Sequence, residues 1–354
     1  MKAFRTYFYV IASLFLSGYF IYITQAFFKP LLAGLILAFA LKPLVSGLEY
    51  LKIPRLLSTL MVISFFILLV LSLIFIFLIQ VSNLQFEMDS VQQKSNQLFN
   101  QIKHSLWEIF GLSSSEQNTI WTKSYSNVLE NSTSIFTNTL SFTTGFVISV
   151  LLFIISLFFF LYYRAYFVSF LNKILRQKYH HRLESILKNV QSVIYHYIIG
   201  LSLVILTVAI LNSIGLLLLG IKNAIFFGMS AAFLTLIPYI GITIAALITV
   251  FFVFLSHQSL WYCVGVLAVF LIVQAIEGNF LTPKIVGRQV RINPFAAILT
   301  LVLGGMFMGI VGVILALPLL AILKVIFDEI PGMQPVAYLL EIPNQNNIKK
   351  SEGT

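Results

Sequence analysis

The sequence predicts an all-α polytopic membrane protein with two re-entrant helical hairpins in its carboxy-terminal half and a polar, partly helical insertion outside the membrane. Three observations predict it. The 354-residue chain is 59% hydrophobic and only 10% charged, with a mean hydropathy of +0.96, well above the apolar share of a soluble domain. Apolar runs long enough for a bilayer core of about 30 Å, which needs roughly 20 helical residues, recur along it. Two later apolar stretches, Ala224 to Leu255 and Pro294 to Phe327, are instead interrupted at their centres by proline and glycine.

The first run, Phe8 to Phe28, follows Lys2 and Arg5 but is long and lacks a clear small-x-small cleavage site, so it reads as a retained helix rather than a signal peptide. Pro30 to Leu41 is short, and only a tilted crossing that borrows Leu44 and Val45 beyond Pro43 would span. Taking it as a crossing puts Lys42, Lys52 and Arg55 on the cytoplasmic side with the amino terminus. Leu56 to Val81 completes an amino-terminal membrane unit, residues 1–81.

Residues 82–144 form the one sizeable polar region, rich in Ser, Asn and Gln. Leu98, Ile102, Leu106 and Ile109 recur at helical spacing, and Ile120, Trp121, Tyr125, Val128 and Leu129 suggest a second amphipathic helix. Trp107 and Trp121 would anchor such helices at lipid headgroups; a small extramembrane domain packing the same faces on protein is the alternative. Residues 145–192 hold a membrane helix, Gly145 to Tyr163, and a basic loop carrying Arg164, Lys173, Arg176, Lys178, Arg182 and Lys188 against Glu184, a cytoplasmic signal. His180 and His181 within it lack nearby ligands and read as solvated.

Residues 193–327 are the expected transport core: Val193 to Leu219, the interrupted stretch 224–255, Leu260 to Leu281 and the interrupted stretch 294–327. In the first interrupted stretch Pro238, Tyr239, Ile240 and Gly241 leave arms of about 14 residues, roughly 21 Å each, too short to cross alone. In the second, Gly304, Gly305, Gly309 and Gly312 separate two short arms, and Pro318 lies in the latter. Charge decides between hairpins and crossings. A full crossing at 224–255 would leave Lys284, Arg288 and Arg291 outside, against the positive-inside rule; a hairpin entering from outside makes them cytoplasmic. The second hairpin then enters from the cytoplasm, and the tail 328–354 stays there, so both termini are cytoplasmic. Only Lys29, Lys94, Lys103, Lys123 and Lys222 of the 22 Lys and Arg fall outside. A pair of kinked spanning helices is the alternative.

Broken tips need shelter from lipid, because an unsatisfied backbone group there costs several kcal/mol. The two tips are expected to meet near the midplane, where paired interrupted helices build transport sites. Gln274, Glu277 and Asn279 form the most polar cluster of the later helices, and Gln274 and Glu277 share a helix face. An ionisable group in or near hydrocarbon points to function; the competing reading pairs Glu277 with Lys284 or Arg288 at the cytoplasmic turn. Pro238, Tyr239, Gly241, Gln274, Glu277, Asn279, Gly304 and Gly305 are therefore the expected substrate-binding residues. His196, Gly200, Ser202, Thr207, Asn212 and Ser213 read mainly as interhelical contacts.

Other chemistries lack their residues. The single cysteine, Cys263, allows no intrachain disulfide and no multi-cysteine metal site. There is no phosphate-cradling Gly-rich loop followed by Lys and Ser/Thr and no HExxH motif. No membrane run pairs a nucleophile with a base, and basic residues are not interleaved with aromatics on a polar surface. No enzyme activity, cofactor, metal or nucleic acid is expected; the expected partners are a small polar solute and membrane lipid.

These residues resemble the autoinducer-2 exporter family of bacterial membrane proteins. The resemblance lies in Ile-Pro-Tyr-Ile-Gly at 237–241, in Gln274, Glu277, Asn279, Pro283 and Lys284, in Gly287 and Pro294, and in the glycine-rich run from Gly312 to Pro318. It implies a bacterial inner-membrane protein that exports a small polar molecule, with autoinducer-2 the name-giving substrate. It also implies a homopentamer whose protomers move a hairpin domain in elevator fashion. Ile242 departs from the second proline frequent in the family. Some relatives are assigned sodium/proton antiport, so a cation/proton antiporter with Glu277 as the titrating group is the second reading. A non-transporting scaffold acting through residues 82–144 is the third.

Overall fold

The computed structural model describes residues 9, 13, 16, 18–20, 22–80, 145–174, 180–237, 240–257, 259–286, 292–330 and 332–342. Their regular structure is helical throughout. Helical residues between 9 and 23 (α1) precede α2 (Gln25–Tyr50), α3 (Arg55–Gln80), α4 (Gly145–Tyr162), α5 (Arg164–Ile174) and α6 (His180–Leu218). Then follow α7 (Ala224–Leu234), α8 (Gly241–His257), α9 (Leu260–Ile276) with a π-helical extension Glu277–Val286, α10 (Pro294–Glu329) and α11 (Gln334–Leu340). Six of the described helices are long and apolar enough to cross a membrane: α2, α3, α4, α6, α9 with the start of its extension, and α10. The amphipathic helices expected in 82–144 lie outside the described residues.

Three expected boundaries are corrected. The first apolar run ends at Thr24 instead of Phe28, where the Thr24 hydroxyl donates to the Phe20 carbonyl at 2.5 Å and a new helix starts. The short segment from Pro30 lies inside a 26-residue helix, Gln25–Tyr50, that passes through Pro43. Packing overrides the proline there: Ala38 and Val45, on either side of it, are buried with Val62, Ile63, Leu157 and Leu161 of α3 and α4. The basic stretch after Tyr163 is largely helical. Its second part forms the first turns of α6, because Val190 and Ile194 bury against Ile36, Ala40 and Leu315.

The interrupted stretches fold back on themselves. Phe227 of α7 and Phe252 of α8 lie 25 positions apart in sequence, yet their ring centroids are 5.0 Å apart, which only an antiparallel pair allows. Cys263 Sγ reaches the Val250 carbonyl at 3.9 Å, so α9 returns alongside α8. Within α10, Gly309 alone has non-helical angles, φ 64° and ψ −148°, a region essentially reserved to glycine. There the helix reverses. Gly304 and Gly312 would be about 12 Å apart on a straight helix, but a Cβ on Gly304 would sit 2.5 Å from the Gly312 carbonyl oxygen.

The two antiparallel pairs open at opposite ends of α6. The α7–α8 pair starts at Ala224, just after the carboxy-terminal end of α6. Both ends of α10 are held at the other end. Glu329 accepts hydrogen bonds from Ser185 (2.9 Å) and Asn189 (3.2 Å) in the first turns of α6. Asn293, which caps the start of α10, is bound to α11 by a backbone bond to Leu340 (2.9 Å) and by its side-chain amide to the Leu339 carbonyl (2.6 Å). The same end gathers the chain's basic turns: Glu49 at the end of α2 pairs with Arg55 at the start of α3 (3.4 Å) and with Arg164 at the start of α5.

Candidate functional site

The site is built along α6, a helix of 39 residues, or roughly 58 Å if straight. A stripe at four-residue spacing, Val204, Val208, Asn212 and Leu216, is fully buried, as i and i+4 positions of one helix face should be. Leu216 packs into the cluster of Ala224, Phe227 and Ala231, while Val204 and Val208 join Ala232 and Val273. The face is therefore covered by α7, with α9 running beside α6 from its Leu216 end to its Val204 end. The two backbones meet closely: a Cβ on Gly228 would lie 2.6 Å from the Ser213 nitrogen.

Within this seam Asn212 is completely buried. Its amide donates to the Val208 carbonyl at 3.1 Å, whereas its Oδ1 is buried without a hydrogen-bond partner. Gln274 Oε1 on α9 and Ser230 Oγ on α7 are in the same condition. A buried polar atom left unpaired costs about 1–3 kcal/mol, and α6 and the two helices that pack on it, α7 and α9, carry one each. The sequence offered Asn212 and Gln274 as candidates; Ser230 sits in an apolar run and its polarity alone did not single it out.

Of the expected site residues, Gln274 lies next to Val273, which shares a buried cluster with Ala232 near the end of α7. It thus stands beside the approach to the first tip. Glu277 opens the π-helical extension, which packs on α6 and α9, and is half-buried. Asn279 is exposed and donates to the Ala275 carbonyl at 2.9 Å. Gly241 is buried at the start of α8, with its Cβ position filled by the Leu234 carbonyl; no larger residue fits that close turn. Pro238 and Tyr239 lie outside the described residues.

Gly304 and Gly305 are helical and sit five and four residues before the reversal at Gly309. The sequence placed the break across Gly304, Gly305, Gly309 and Gly312; of these Gly309 turns, and Gly304 and Gly312 pack on each other. A Cβ on Gly305 would meet only Val313 Cγ2, at 3.2 Å.

The described parts of the two pairs share no broad interface; α10 packs on α6 and α2, and α7–α8 packs on α6 and α9. They approach through α6. Val311, two residues past the reversal, and Ile198 pack on one cluster, and Ala232 packs with Val204 in another. From Ile198 to Val204 is about 9 Å along a helix, a stretch containing buried Gly200 and exposed Ser202. The two inner ends are thus brought to adjacent levels of the same helix, while Gln274 and Gly305 are not in one packed cluster.

Among the described residues no group of His, Cys, Asp and Glu could hold a metal ion, and Cys263 is buried as a free thiol.

Comparison with known proteins bears on this geometry. Residues 10–332 match the family model described as AI-2E family transporter. The chain is 31% identical over 325 residues to the "Putative transport protein YueF" of Bacillus subtilis strain 168, covering 88% of this chain and 85% of that one. It is 32% identical over 127 residues to the "AI-2 transport protein TqsA" of Escherichia coli K12, covering 36% of this chain and 37% of that one.

Proposed function

The chain belongs to the AI-2E family of transporters, and from that premise we propose that it is a secondary transporter exporting a small polar solute through the region between the inner ends of its two hairpins. It is a multi-pass membrane protein. The observation that carries the proposal is the pairing of two interrupted helices that open at opposite ends of α6 and reach adjacent levels along it. Interrupted segments entering from opposite leaflets would put unwound backbone at the midplane, where it can bind a solute by amides and carbonyls. Gln274, Glu277, Asn279 and the turn at Pro238, Tyr239 and Gly241 line one side in this reading, and Gly304 and Gly305 approach from the other. Autoinducer-2 or a related signalling molecule is the candidate cargo, on the likeness to the AI-2 transport protein TqsA.

Export is the direction the family resemblance suggests, and the expected topology sets the orientation of the protein. The basic turns around Lys52, Arg55, Arg164 and Lys173 face the cytoplasm under the positive-inside rule, with both termini there. Alternating access would then be an elevator-like displacement of one hairpin unit against the other, within a homo-oligomer. The test is autoinducer-2 efflux from proteoliposomes. Glu277→Gln and Gly305→Leu should each cut the initial rate at least tenfold while the protein still reconstitutes. Wild-type rates in both variants would remove this site from consideration.

A further inference from the structure

We propose that the cavity between α2, α4, α5 and α6 is a binding site for an anionic phospholipid of the surrounding bilayer, with its phosphate held by Lys42 and Arg164. The cavity has a volume of about 710 Å³, within the range of sites that hold whole small ligands. Its walls are apolar, with Leu35 and Phe39 of α2, Leu161 of α4, Phe167 of α5 and Leu187 of α6, and its two charged lining residues are both cations.

The local charges do not balance. Glu49 is the one carboxylate paired here among the described residues, and it is shared by Arg55 and Arg164. Lys42 donates to a neutral partner, the Gln191 amide oxygen, at 2.5 Å. Arg164 Nη1 is buried without a hydrogen-bond partner. Three cations against one anion leave a local excess of two positive charges, which a lipid phosphodiester would reduce by one while supplying acceptor oxygens that guanidinium and ammonium groups bind as charge-assisted partners.

A lipid is favoured over a soluble anion by what surrounds the cations. Helix α5 follows directly on the membrane helix α4, buries none of its residues, and exposes Tyr166, Phe167, Phe170 and Leu171 between Arg164 and Lys173, with Ile174 exposed just beyond. That composition suits a helix lying in the headgroup layer. The cavity beneath it therefore offers cations at headgroup depth and apolar walls for an acyl chain, the arrangement by which basic pockets between membrane helices recognise anionic lipids.

The test uses the full-length protein in neutral detergent, with binding of 1-palmitoyl-2-oleoyl phosphatidylglycerol and the matched phosphatidylcholine read by native mass spectrometry. Wild type should bind the anionic lipid about tenfold tighter. Lys42→Gln, which retains an amide donor toward Gln191, should lose about that tenfold preference and leave phosphatidylcholine unchanged. Val168→Trp, which fills the cavity from α5 without touching its charges, should weaken both lipids. Lys188→Gln, a charge change on the exposed face of α6, should alter neither. Equal affinity of wild type for the two lipids overturns the proposal, as does full retention of the preference in Lys42→Gln or of binding in Val168→Trp. Equally tight binding of chain-free glycerol phosphate would also overturn it, by showing an anion site without a lipid.

Discussion

Replacing Gly304 and its neighbour Gly305 by alanine, one at a time, separates close packing from helix propensity. Both glycines lie on the same arm of α10 and both gain one methyl group. At Gly304 the new Cβ would stand 2.5 Å from the Gly312 carbonyl oxygen and 2.9 Å from its carbon, whereas ordinary contact begins near 3.4 Å. The obstacle is backbone, so the two arms must part by most of an ångström. Overpacking of this kind costs about 1–3 kcal/mol, against which alanine returns about 1 kcal/mol of helix propensity. Gly304→Ala should therefore be destabilising by about 0–2 kcal/mol. At Gly305 the new Cβ would meet only the end of the Val313 side chain at 3.2 Å, which yields by a few tenths of an ångström, and the propensity gain should dominate. The two variants should differ by about 2 kcal/mol, a factor of roughly 30 in the unfolding equilibrium. Reversible unfolding in mixed micelles by denaturing detergent, followed by circular dichroism, reads that difference. Equal stability of the two variants would refute the reversal at Gly309 and return α10 to a straight helix.

The reversal itself is tested by Gly309→Ala, which forces a side chain into φ 64°, ψ −148° and should cost about 1–3 kcal/mol in the same assay; no loss there would deny the turn. Asn293→Ala removes the side-chain acceptor of the Ala296 amide (2.7 Å) and the donor to Leu339 (2.6 Å). It should destabilise by about 1–2 kcal/mol and speed proteolysis between α10 and α11. Glu49→Gln strips the shared carboxylate from Arg55 and Arg164. Because Arg55 is 44% exposed, the loss should be about 1 kcal/mol and should shrink as salt rises from about 0.05 to about 0.5 M; a salt-independent loss would point to packing instead.

Much of the fold was legible because the bilayer imposes a length scale. Runs such as Leu56 to Val81 and Gly145 to Tyr163 match α3 and α4 within one residue at each end, since about 20 apolar residues can do little else in hydrocarbon. Arms too short to cross were visible at 224–255 and 294–327, and there the structure brings Phe227 onto Phe252 and Gly304 onto Gly312. What hydropathy could not resolve was the division of labour among like residues. Gly304, Gly305, Gly309 and Gly312 are equivalent in a hydropathy profile, and only the three-dimensional path tells which one turns and which two touch. Pro43 left the length of the segment from Pro30 open, and the burial of Ala38 and Val45 carries α2 through it. The π-helical extension after Glu277 had no hydropathy signature; Pro283 within it lacks a backbone donor, which favours a register change there. Asn212 was visible as a polar residue in an apolar helix, but its complete burial follows from α7 lying across it.

The near-contact of Gly228 with the Ser213 backbone fixes α7 to α6 as a tenon is held in its mortise. On the opposite flank, α6 meets α2 and α10 through Ile36, Ala40, Val190, Ile194 and Leu315, side chains alone, and polar ties gather at its start, from Ser185 and Asn189 to Glu329 and from Lys42 to Gln191. Parting α6 from α7 therefore means prising main chain from main chain, whereas parting it from α2 and α10 means breaking a handful of hydrogen bonds and sliding aliphatic surfaces.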